Sequence, residues 1–238
     1  VARDNAAIPP TPDPTLYGYV FKGWDRDFSR VTSDLVISPV FERTAQTYPV
    51  TVMNGILSTG GSSGEFKFDM PVTVVANTPS AGKVFSHWEQ DGQKISCQST
   101  FTFYTPQRAT TMTAVMVDQD SLPVMTPFIT LADEVLTDTV NKTMMFTAIR
   151  AVPDGYTLVE SGILMLPSNT PPAGDLTLET PGAIRGRINN ESSEQFYIRK
   201  LDINPGDRWY ARAYLIYQDQ SGNMTTVYSD KTVNQTMS

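Results

Sequence analysis

Cysteine and histidine are nearly missing from this chain: its 238 residues hold one of each, Cys97 and His87. A lone cysteine excludes an intrachain disulfide, and one Cys and one His set apart along the chain argue against zinc. A Ser-His-Asp or Cys-His arrangement has one available base. That base sits beside Trp88 in an apolar stretch, where a packed histidine is the expected reading. Cys97 is read the same way, as a small packed hydrophobe. Positive charge is also short. Eighteen Lys and Arg stand against 25 Asp and Glu, for a net charge of −7. No basic patch is left to release counterions from nucleic acid or to attract an anionic membrane. No run of about eighteen apolar residues exists to cross a bilayer, and no long segment holds a 3.6-residue apolar period, so little helix is expected.

Familiar chemical motifs fail on inspection. "SAGKVF" contains Gly-Lys without the earlier glycine or the following Ser/Thr of a phosphate loop, and "STGGSSG" has no lysine after its glycines. No carboxylate pair has a separation that the sequence defines, so glycosidase chemistry has no anchor. Asp118 and Asp120 are candidates for calcium at a domain joint, weighed against a solvated linker. "DQSGN" (219–223) lacks the spaced acids of an EF-hand loop and reads as a hairpin turn. Four Asn-X-Thr/Ser acceptor patterns, at Asn141, Asn190, Asn223 and Asn234, carry little information. Neither a catalytic residue nor a cofactor is assigned.

Strand signals fill the rest. "LVISPVF" (35–41), "YPVTVM" (48–53), "PVTVVA" (71–76) and "TMTAVMV" (111–117) are β-branched and bounded by turn residues. "STGGSSGEFKF" (58–68) reads as a glycine-rich hairpin connection. Polar seams at "ERTAQT" (42–47) and "DQDSLP" (118–123) divide the chain into units 1–43, 48–118 and 121–238.

One octet appears twice. Gly18–Asp25 is "GYVFKGWD" and Gly82–Glu89 is "GKVFSHWE", each after a proline-bearing segment and each before a final alternating strand. A copied supersecondary unit predicts a tandem array. The expected role of the octet is construction. Gly18 and Gly82 suit a tight entry turn, and Phe21, Trp24, Phe85 and Trp88 supply apolar core.

"YGYVFKGWDRDFSRVTSDLVISPVFE" (17–42) resembles the internalin-type B repeat, also called the Listeria–Bacteroides repeat, through Gly18, Tyr19, Phe21, Gly23, Trp24, Asp25 and "VTSD" (31–34). Residues 48–118 resemble a divergent version of the same repeat, with "YPVTV", the glycine-rich hairpin, "VTVVANTPSAGKVFSHWE" and "TTMTAVMV" as carriers. They depart from the tighter pattern at Ser86 and His87. The resemblance implies small β-grasp-like units strung along Gram-positive or Bacteroides-type cell-surface proteins. It also implies about seventy residues per unit, so residues 1–43 are expected either to pack on the second unit or to be a unit cut short. The chain opens "VARDNAAIPP", without Met, and is expected to be part of a longer surface protein whose signal and anchor lie elsewhere.

The last 118 residues predict about seven strands of a β-sandwich. "INPGDRWYARAY" is similar to the fibronectin type III pattern leading into strand F, with Trp209 where that family places its corner tyrosine. Alternation puts Trp209, Ala211, Ala213, Leu215 and Tyr217 on one face, and Tyr210, Arg212, Tyr214 and Ile216 on the other. The fold class expected is thus mainly β, with tandem β-grasp-like repeats followed by an immunoglobulin-like sandwich. The function expected is a non-catalytic, extracellular region of a bacterial surface protein. It would be monomeric and would serve as stalk, spacer or adhesion segment for a protein or glycan partner. The alternative is an accessory carbohydrate-binding module, for which Tyr210, Tyr214 and Tyr217 would form the exposed aromatic strip.

Overall fold

The computed structural model describes residues 5–9, 11, 13–16, 18–121, 125–188 and 194–237. The fold is mainly β, in several sheets with no barrel. Among the described residues the one helical element is a 3₁₀ turn, Gln119–Ser121, at the seam where a linker is expected. Leu122, Pro123, Tyr17 and the acceptor pattern at Asn190 fall outside the described residues.

The first strands, β1 (Tyr19–Trp24) and β2 (Pro39–Arg43), form a two-stranded antiparallel ribbon. Eight strands follow: β3 (Thr47–Met53), β4 (Gly55–Leu57), β5 (Ser63–Lys67), β6 (Pro71–Ala76), β7 (Lys83–Gln90), β8 (Gln93–Ser96), β9 (Thr100–Tyr104) and β10 (Thr110–Asp118). They build a five-stranded sheet in the order β5-β3-β10-β7-β8 and a three-stranded sheet in the order β4-β6-β9. The central pair, β10 with β3, is parallel, while its neighbours are antiparallel, so the sheet is mixed at its centre. Period-2 alternation sends Val50, Val52, Val72, Val74, Phe101, Phe103, Met112 and Ala114 into one core around Trp88.

Nine strands complete the chain: β11 (Phe128–Leu131), β12 (Leu136–Asp138), β13 (Thr143–Ala151), β14 (Thr157–Pro167), β15 (Ile184–Ile188), β16 (Gln195–Lys200), β17 (Arg208–Gln218), β18 (Met224–Tyr228) and β19 (Val233–Thr236). One sheet joins β11, β12 and β16 to β13, and the other joins β15, β14, β17, β18 and β19. A core of Phe146, Ile163, Met165, Phe196, Trp209, Ala211 and Leu215 lies between them. The expected faces of β17 appear as written: Trp209, Ala211, Ala213, Leu215 and Tyr217 enter this core, and Tyr210 and Tyr214 face the other way. That outer face is covered as well. The strandless connection after Pro167 lays Leu176 and Leu178 over Tyr210, Tyr214 and Tyr228. Arg212 Nη1 donates to the Leu176 carbonyl at 3.2 Å, and the Leu178 amide donates to the Tyr228 hydroxyl at 3.2 Å.

Candidate functional site

The two octets fold to one geometry. In the first, Tyr19, Val20, Phe21, Gly23 and Trp24 pair with Arg43, Glu42, Phe41, Val40 and Pro39, skipping Lys22. In the second, Lys83, Val84, Phe85, His87 and Trp88 pair with Asp118, Val117, Met116, Val115 and Ala114, skipping Ser86. Octet position for octet position, the partners and the bulge coincide. The flanking turns agree too. The Thr44 amide donates to the Gly18 carbonyl at 3.0 Å, and Gln119 to Gly82 at 2.8 Å. Gly18 and Gly82 both sit at positive φ, +80° and +77°.

What surrounds the octets differs. Trp88 is 0% exposed, enclosed by the second sheet. Its indole N–H donates to the Ser99 carbonyl at 3.3 Å. Trp24 is half-buried and sits in an edge-on aromatic group with Phe21 at 5.4 Å and Phe28 at 6.4 Å, Phe21 in turn meeting Phe41 at 5.8 Å. Phe85 is half-buried, 6.1 Å from Trp88. Gly18 is buried, and a Cβ there would lie 2.1 Å from the Phe68 ring, whereas one at Gly82 meets open space. The first ribbon therefore touches the second unit at this point. Arg43 adds a 3.9 Å ion pair to Asp69.

Ser86 and His87, the positions that depart from the repeat pattern, are both buried. The Ser86 hydroxyl lies 2.9 Å from His87 Nδ1, and His87 Nε2 lies 3.3 Å from Glu89 Oε1. A hydroxyl, imidazole and carboxylate in a row are the ingredients of an activated nucleophile. Yet Ser86 is enclosed, its hydroxyl facing the Met125 sulfur at 3.9 Å, and it lines neither the concavity around Lys83 nor the one around Arg208. Burial lowers the His87 pKa, with Glu89 opposing, so the ring is neutral at pH 7 and packs.

Beyond the octet, β8 and β9 of the second unit meet β11, β13 and β16. Ile149 packs on the Trp88 core. Thr130 Oγ1 donates to the Lys94 carbonyl at 2.8 Å, Ser96 Oγ to Glu194 Oε2 at 3.1 Å, and the Tyr104 amide to Gln195 Oε1 at 3.3 Å. The Lys94 ammonium stands 5.6 Å over the Phe128 ring. Arg108 reaches Glu134 at 3.6 Å and also pairs with Asp91. Burial raises the Glu194 pKa, against the Ser96 hydrogen bond and the Arg150 charge. Cys97, beside this contact, is pushed up to about 11 by burial and then by Glu194, so its thiol is protonated and unreactive at neutral pH. Sequence reasoning missed this junction because its residues lie in two units and share no pattern.

The tyrosine strip is corrected by the structure. Tyr210, Tyr214 and Tyr217 are all buried. Tyr217 faces inward, edge-on to Tyr156 at 5.3 Å. Tyr214 lies under Arg185, its hydroxyl donating to Glu160 at 2.5 Å, and burial first and then Glu160 push its pKa to about 12. The rings are unavailable because both faces of β17 are covered, which strand alternation alone does not reveal. Trp209 has its Nε1 buried and without a hydrogen-bond partner, its ring under the Lys200 ammonium at 4.9 Å.

Asp118 is ion-paired to Lys83 at 2.9 Å, and Asp120 lies in the 3₁₀ turn. Among the described residues no three His, Cys, Asp or Glu side chains gather as a metal site. Two concavities on the described residues are open to solvent. One, of about 420 Å³, is lined by Asn54, Asn77, Ser80, Lys83 and Met116; the other lies around Ser168, Asn169 and Arg208.

A parallel β3–β10 centre, the glycine-rich turn and a buried Trp88 on the octet strand are now in place. Residues 46–118 match the divergent InlB B-repeat domain. No curated protein and no solved structure matches the chain. The B-repeat match ends at Asp118.

Proposed function

We propose that this chain is a non-catalytic modular region of a bacterial cell-surface protein, acting as a spacer that presents an interaction surface away from the cell. In this reading residues 1–43 are the closing part of a B-repeat unit, 48–118 a complete divergent unit and 121–238 an immunoglobulin-like sandwich. The observation that carries it is the octet hairpin written twice at one register with one bulge, its second copy inside the B-repeat match. Tandem copies of a small unit make an array whose length is set by copy number. The junction through Lys94, Ser96, Glu194 and Ile149 supports a stiff joint, since a spacer transmits position only where neighbouring units hold their angle. Enclosure of Ser86 and His87 favours structure over catalysis.

The test is surface accessibility in the source cells. Antibodies raised against residues 48–237 are expected to label intact cells and to lose that signal after brief external protease. Labelling that appears only after permeabilisation would overturn the reading. A carbohydrate-binding module is disfavoured by the burial of its three tyrosines, and a glycan array is expected to give no binding.

A further inference from the structure

The two octets differ at their fifth and sixth places, and the surroundings of those places differ with them. In the first copy they hold Lys22 and Gly23. The Lys22 ammonium is ion-paired to Glu42 at 3.1 Å with its side chain half exposed. Gly23 sits at φ +119°, where a Cβ would meet open space. In the second copy they hold Ser86 and His87, both buried. Ser86, His87 and Glu89 partner one another at 2.9 and 3.3 Å, so the polar atoms of the buried pair are satisfied within the octet.

What meets this hairpin is the approach to the sandwich. Met125 stands against the Ser86 hydroxyl at 3.9 Å, and Phe128 lies under the Lys94 ammonium at 5.6 Å. Thr130 Oγ1 donates to the Lys94 carbonyl at 2.8 Å, and Lys94 opposes Glu89 across β7 and β8. Met125, Phe128 and Thr130 thus follow one another along the β7–β8 hairpin. Behind them Ile149 packs on the Trp88 core and Glu194 takes the Ser96 hydrogen bond.

We infer that the fifth and sixth octet places decide whether a unit of this chain accepts a neighbouring domain on its β7–β8 face. Ser-His accepts the Met125–Thr130 segment and the sandwich behind it; Lys-Gly refuses them. A lysine at the fifth place carries an ammonium under Met125, away from water. A glycine at the sixth leaves the volume of the imidazole empty. The inference concerns the joint and not where the protein resides, so it stands or falls apart from the spacer reading.

The experiment transplants the first octet's residues into the second, as Ser86→Lys with His87→Gly, in the intact ¹⁵N-labelled chain. Residual dipolar couplings read the joint, because two units held at one angle share one alignment tensor. The unmodified chain is expected to fit one tensor across residues 48–237, and the double variant to need two. The Tyr104 amide, which donates across the joint to Gln195 at 3.3 Å, is expected to exchange faster in the variant. The amides of Val52 and Met112, in the Trp88 core, are expected to keep their protection. A second variant, Met125→Lys, brings the charge from the connecting segment, outside both cores, and is expected to loosen the joint in the same way. The inference is overturned if the unmodified chain already needs two tensors, or if either variant keeps one tensor with the Trp88 core protected. Where the transplant unfolds the second unit, Met125→Lys decides alone by the same readings.

Discussion

The same octet lies twice in one polypeptide and meets two fates. At Gly82–Glu89 it is the middle of an eight-stranded unit, and its tryptophan is fully enclosed. At Gly18–Asp25 it is half of a two-stranded ribbon, and its tryptophan is half-buried among neighbouring aromatic rings. Pairing, bulge and turn agree, so local sequence decides the hairpin. Burial differs because burial is supplied by other strands: β8 beside the octet, β3 beyond its hairpin partner, and β4, β6 and β9 over it. A repeat motif thus carries its own backbone geometry but borrows its stability from the layer that covers it.

The largest test of that contrast is to remove each indole. Trp88→Ala empties a sealed core and is expected to cost about 3–5 kcal/mol, enough to unfold the second unit. Trp24→Ala strips a half-covered ring and should cost about 1 kcal/mol. Chemical denaturation followed by far-UV circular dichroism compares them, and equal losses would erase the distinction.

Next come the glycines. Gly82→Ala meets open space and bears only the left-handed backbone penalty, about 1–2 kcal/mol. Gly18→Ala adds a collision with the Phe68 ring, so it is expected to cost more and to detach the ribbon from the second unit. Limited proteolysis between residues 19 and 46 reads out detachment.

A smaller effect belongs to Glu194, on the far side of the second unit. Its folded pKa is raised above 4.5 by burial, so the folded chain keeps a proton that the unfolded chain has released. Stability therefore falls as pH rises from 4.5 through the raised value, and is level above it. Glu194→Gln retains a partner for Ser96 and is expected to flatten that slope and to be at least as stable at pH 7. Thermal melts between pH 4.5 and 7 measure it. The smallest effect is chemical. With its pKa near 11, Cys97 has roughly a hundredth of the thiolate of an ordinary cysteine at pH 7, and thiol labelling of the folded chain should be slower in proportion.

Much of the fold was legible in the sequence, because strand alternation is a local signal. The faces of β17 and the turn glycines Gly18 and Gly82 follow from it. Expectation failed where the decisive partner is remote. "LVISPVF" has strand chemistry from Leu35, but pairing starts at Pro39, since the residues before it have no parallel neighbour among the described strands. Tyr210 and Tyr214 alternate outward as expected, yet lie under a strandless connection with no periodicity to announce it. The junction at Ser96 and Glu194 joins residues nearly a hundred positions apart, each an ordinary polar side chain in its own segment. Ser86 and His87 departed from the repeat pattern visibly, but only their burial explains why.

Amide hydrogen exchange tests the central claim most directly, because one experiment on the intact chain reads both octets at once. β7 and β10 are expected to exchange only on unfolding of the second unit. β1 and β2 should exchange far faster, and Leu35–Ile37 should be unprotected. Equal protection of the two octet hairpins would show that the first is as complete as the second, and would contradict the account.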